Sequence, residues 1–144
     1  DFCRERYQTV LLPGQMDTDG SFPLELARTK PYGYSLFNLD AMATVCHILS
    51  DDTNNLWQYT TKDGRNMQKG VAWLCPYIKD KSAWPFEKDV MYWDEWPVAH
   101  TALLFSVCDT PDEDYFSLWS ELEHFPENDE VIRNFPLRHP LLWL

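Results

Sequence analysis

Two cations, two phenols and a glycine crowd into Arg28-Thr29-Lys30-Pro31-Tyr32-Gly33-Tyr34, immediately ahead of a long apolar run. Arg28 and Lys30 together suit a ligand that carries a carboxylate, because a guanidinium meets a carboxylate in bidentate fashion and stays charged. A rigid helix behind the loop would hold these polar groups at its mouth. Gly33, lacking a side chain, would let the backbone approach a ligand beside Tyr34. The competing structural reading pairs Arg28 with Glu25 and packs the tyrosines, and the residues alone leave both open.

A second cluster, Trp93-Asp94-Glu95-Trp96, offers rings for stacking on sugars and acids that could orient Arg28 or Lys30. Asp94 and Glu95 also raise the possibility of a glycoside hydrolase pair. Sequence neighbours rarely point at one spot, however, and hydrolase carboxylates flank a bond at about 5 to 9.5 Å. A plain helix-entry cluster before Pro97 remains the alternative. His47, His100, His124 and His139 read as structural or surface residues, with His100 the one most able to approach a groove. Cys3, Cys46, Cys75 and Cys108 form no Cys-x-x-Cys pair and read chiefly as small hydrophobes.

The elements that must position these groups are helices. Residues 3–12 read as the tail of a helix closed by Pro13-Gly14, followed by a turn at Asp17 to Gly20 and an extended or irregular stretch from Phe22 to Arg28. The clearest helix runs from Tyr34 to Ser50, with Asp40, Thr44, His47 and Asp51 as one narrow polar stripe. Such a helix must be covered on more than one side. Further helices are expected from Arg65 to Ile78, from Pro97 to Cys108, and from a capping box at Thr110-Pro111-Asp112-Glu113 to about Glu123. No alternating run long enough for a sheet appears, so the fold class is all-α, with residues 1–144 in a single domain.

Composition narrows the partners. A chain of 144 residues is long enough for one sizeable core. Its aromatic content of 15%, with seven Trp, leaves rings to spare for flat amphipathic ligands such as sugars. A net charge of −11 excludes a general nucleic-acid binder, and no stretch approaches the ~18 apolar residues of a membrane span. A local basic cluster could still hold an anion, since distant charges are screened beyond about 8 Å.

Three motifs carry a family resemblance. They are Leu24-Glu25-Leu26-Ala27-Arg28 six residues before Tyr34, Tyr92-Trp93-Asp94-Glu95-Trp96-Pro97, and Val131-Ile132-Arg133-Asn134-Phe135-Pro136 followed by Pro140-Leu141-Leu142-Trp143. Together they resemble the alginate lyase-type polysaccharide lyases across essentially the whole chain. The resemblance implies the C-terminal portion of an α/α toroid, an incomplete barrel of antiparallel helix pairs. It also implies β-elimination on an anionic polysaccharide such as alginate or glucuronan, without a cofactor, in the periplasm or outside the cell. On this reading Arg28 neutralises the uronate carboxylate and Tyr34 is the catalytic phenol. Lys30, Tyr32, Trp93, Asp94, Glu95 and Trp96 are expected to contact substrate. An Asn and a His of the family would lie upstream, outside this chain, so the isolated piece is expected to be inactive and, with apolar helix faces open, to self-associate. A non-catalytic carbohydrate-binding or scaffolding domain is the alternative.

Overall fold

The computed structural model describes residues 1–107 and 114–144, and its regular structure is helical with no strand among the described residues. The chain opens with α1 (Phe2–Arg6), a π-helical turn (Tyr7–Leu11) and α2 (Leu12–Gln15), which follow one another in helical backbone. Here the expected stop at Pro13-Gly14 is corrected. Pro13 has no N–H to give, and the turn before it widens so that Leu12 N–H reaches Tyr7 O, after which the helix continues to Gln15. Phe22 to Arg28 is likewise not extended, because Pro23 opens the short helix α3 (Pro23–Leu26).

The central element is α4 (Pro31–Leu49). It starts three residues before the expected Tyr34, since Pro31 suits a first turn and a remote carboxylate caps the helix. Asp89 accepts from Tyr32 N–H at 2.8 Å and Gly33 N–H at 2.9 Å, satisfying two donors that the helix itself cannot. Packed against α4 are α3, α5 (Met67–Lys79) and α6 (Thr101–Ser106), with α7 (Tyr115–Glu121) on α6. A last short helix, α8 (Asp129–Arg133), is capped by Asn128, whose side chain accepts from Glu130 N–H.

The third expected helix begins later than Pro97, at Thr101, because residues 97–100 are taken up by contacts of their own. Ala99 N–H donates to Glu123 O at 2.8 Å, and Val98 N–H donates to His100 Nε2 at 3.3 Å. Cys108 and the capping box Thr110 to Glu113 lie outside the described residues. Leu36, Leu39, Met42, Ala43 and Cys46 of α4 are buried together with Val71 and Leu74 of α5 and Ala102, Leu103 and Phe105 of α6. The requirement that α4 be covered on several sides is thus met. Its polar stripe is covered in part: Asp40 is buried and the half-buried His47 stacks on Phe105 with ring centroids 3.9 Å apart, while Asp51 lies beyond the helix end and is exposed.

Candidate functional site

At the mouth of α4 the structure brings together Arg28, Lys30 and Tyr34. The Arg28 guanidinium lies 4.0 Å from the centre of the Tyr34 ring, and the Lys30 ammonium lies 4.8 Å from the same centre. Such cation–π contacts contribute about 0.5–1 kcal/mol at exposed sites. Arg28 is exposed and only loosely held by Glu25, at 3.5 Å, the pairing that the structural reading expected. A weak exposed pair leaves the guanidinium free to exchange its partner for a ligand carboxylate. Tyr34 is half-buried, and its hydroxyl makes no hydrogen bond among the described residues.

Lys30 is more tightly engaged. It is mostly buried and paired with Glu130 of α8, while the other carboxylate oxygen of Glu130 takes Arg133. Neither partner was visible from the local sequence, because Glu130 lies 100 residues away. Lys30 also sits 5.1 Å from the ring centre of Tyr92. The rim of the site therefore consists of two phenols, two cations and a buried carboxylate, contributed by three separate stretches of chain.

Two of the expected substrate contacts, Tyr32 and Trp96, are corrected by burial, and Asp94 and Glu95 are corrected only as the acids expected to orient Arg28 or Lys30. Tyr32 is fully buried, its ring beside Trp84 and Trp93 and its hydroxyl donating to Tyr77 O at 2.9 Å. Burial first, and the Asp89 carboxylate second, push its phenol above the ordinary value, which keeps it protonated. Trp96 is buried and stacks on His100, so it offers no face to a sugar. Asp94 and Glu95 are exposed in a 3₁₀ turn (Trp93–Glu95) and form no ion pair among the described residues, so the acids that hold Arg28 and Lys30 are Glu25 and Glu130 instead. Trp93 stays half-buried, with Lys81 and Lys88 both over its ring at 4.9 and 5.5 Å.

Gly33 also has a different reason to be glycine. A Cβ there would stand 2.7 Å from Trp96 Nε1 and 2.9 Å from Asp89 Oδ2, so the close approach is to those two side chains and not to a ligand. Asp89 is buried, and burial raises its carboxyl above the usual range despite the two N–H groups it accepts. Val90 N–H donates to Thr29 O at 3.1 Å, joining the Asp89 loop to the loop that carries Arg28 and Lys30.

Of the histidines, His100 is fully buried with Nδ1 2.8 Å from Asp40 Oδ2. His47 meets Trp143 O at 2.7 Å, and His124 lies edge-on to Trp119. Among the described residues none of them touches Arg28, Lys30 or Tyr34. Among the described residues no group of three or more His, Cys, Asp or Glu gathers as a metal site, and no helix is long and apolar enough to cross a membrane.

An all-helical protein with an arginine and a tyrosine apposed at the mouth of its central helix is the class that this geometry defines. The family model described as alginate lyase matches residues 1–84, and the chain belongs to that family. Among solved structures it is similar to an alginate lyase from Bacteroides ovatus, with 29% identity and a TM-score of 0.66 over 92% of this chain and 35% of that one. The chain thus spans about a third of that protein's length, and its helices form part of an α/α toroid. No curated protein matches it.

Proposed function

We propose that this chain supplies one wall of the active site of a polysaccharide lyase that cleaves a uronate polymer, alginate or glucuronan, by β-elimination. The observation that carries the reading is the Arg28 guanidinium held 4.0 Å over the Tyr34 ring at the rim of α4. In this reaction the C5–H bond and the C4–O4 bond break, a C4=C5 double bond forms, and a proton ends on the departing O4. The C5 proton is weakly acidic until the adjacent carboxylate is neutralised, which is the task of Arg28. Tyr34 presents an uncommitted hydroxyl beside that cation, suited to proton transfer at the bond being broken. Lys30 adds positive potential to the rim, tempered by Glu130.

Residues 1–144 are part of a single toroid domain whose remaining site groups, an Asn and a His by family resemblance, come from outside this chain. An apolar groove of about 480 Å³, lined by residues that include Phe2, Val10, Val45 and Ile48, is consistent with a helical face meant to be covered. Isolated, the chain would be inactive and prone to self-association. A polymer substrate of this kind places the enzyme in the periplasm or outside the cell.

The test is ultraviolet absorbance of the conjugated product formed from alginate or glucuronan by the intact protein. Tyr34→Phe should lower turnover on the order of 10²-fold with the fold retained, and Arg28→Lys should be far more damaging than Lys30→Arg. Tyr32→Phe should act through stability alone. A wild-type protein that releases no unsaturated ends from either polymer, or a Tyr34→Phe variant of normal turnover, sinks the assignment.

A further inference from the structure

Tyr92 is the one residue other than glycine with positive φ among the described residues, at φ 63° and ψ 16°. That left-handed conformation is a genuine outlier for a bulky side chain, and asparagine or glycine would adopt it at lower cost. Nothing in the local hydrogen bonding demands a tyrosine there: Glu95 N–H donates to Tyr92 O at 3.1 Å, a main-chain contact available to any residue. The ring is half-buried, and its hydroxyl makes no hydrogen bond among the described residues. Among the described residues it is not stacked on another ring either, and it meets the Lys30 ammonium, which lies over the Tyr34 ring as well. Lys30 in turn is fixed by Glu130, itself buried beneath Arg133. One anchored cation therefore holds two phenols on a common rim, one of them by way of a strained backbone.

We infer that Tyr92 is a substrate-contacting residue, whose phenol binds the uronate polymer beside the sugar presented to Tyr34. The inference rests on the proposed lyase reading. Strain of this kind persists where the surroundings over-determine it and recurs at ligand-binding positions. Here Tyr92 occupies the left-handed position directly before the half-buried Trp93, and its ring meets the Lys30 ammonium on the rim. The hydroxyl is then free to donate to a sugar hydroxyl or a carboxylate, and the ring face to meet the apolar face of a pyranose. Tyr92 contributes binding, whereas Tyr34 contributes proton transfer.

Replacement by glycine separates function from structure, because Tyr92→Gly removes the ring and relieves the backbone at the same time. In the intact protein Tyr92→Gly should raise KM for the polymer about tenfold with kcat within about threefold, while Tm stays equal or rises. Tyr92→Phe, measured in parallel, should show a smaller rise in KM at unchanged Tm. If Tyr92→Gly lowers Tm and activity together, or if both variants keep wild-type KM while Tyr34→Phe is impaired, Tyr92 is structural and the inference is overturned alone. If the wild-type protein forms no unsaturated product, the lyase reading fails first and the inference falls with it.

Discussion

Two of the places where ionisable side chains meet in this molecule could hardly be used more differently. In the interior, Asp40 and His100 form the acid–imidazole pair that an active site would be expected to contain. Every polar atom of that pair is occupied. Val98 N–H donates to Nε2, so the proton on Nδ1 goes to Asp40 Oδ2, and Asp40 Oδ1 accepts from Ala102 N–H at 3.0 Å. The pair fastens α6 to α4 and has nothing left to offer a substrate. At the rim, Arg28, Tyr34 and Tyr92 look less like a catalytic group on paper, yet both hydroxyls are uncommitted and Arg28 is only loosely held. Counting hydrogen bonds thus separates the two regions better than residue type does.

The comparison breaks most visibly at its buried end. Asp40→Ala leaves two buried donors without acceptors, and at ~1–3 kcal/mol for each the loss should be about 2–6 kcal/mol, read by denaturant unfolding of the intact protein. An Asp40→Ala variant of unchanged stability but no activity would reverse the roles assigned to the two regions. Asp89 should give an intermediate effect with a pH signature. Burial raises its folded-state value, so its contribution to stability is fully present below its ordinary value of 3.8 and is lost as pH rises through the raised one. The stability gap between wild type and Asp89→Asn should therefore narrow as pH rises above 3.8; a gap that widens would contradict the burial argument. The smallest effect belongs to the exposed acids. Asp94→Asn with Glu95→Gln should shift stability by less than about 0.5 kcal/mol and leave turnover unchanged in the same assays.

The pairing of Arg28 with Tyr34 was legible because both lie within one short stretch that ends on a helix. The orientation of Tyr32 was not, since two successive helical steps turn a side chain to the opposite flank and either tyrosine could have faced inward. Asp89 and Glu130 were missed for a common reason: each acts on the site loop from a distant part of the chain, and no periodic pattern connects carboxylates so far apart with the donors they serve. The helical spacing of Asp40, Thr44 and His47 on α4 was read correctly, whereas Asp51 lies beyond the helix end. What escaped was the burial of Asp40, because only the folded α6 shows where it finds its partner.

The link between Lys30 and Glu130 also orders events in time. On a ribosome adding about 5–20 residues per second, the 100 residues that separate them take roughly 5–20 s to appear. During that interval the nascent α4 can already collapse onto α3 and α5, while the lysine beside its mouth lacks its Glu130 partner and has only the charge of Asp89 near it. The rim is consequently among the last parts of this chain to reach its final form, and a translation product ending before Glu130 would carry the right residues in a loop still waiting to be fastened.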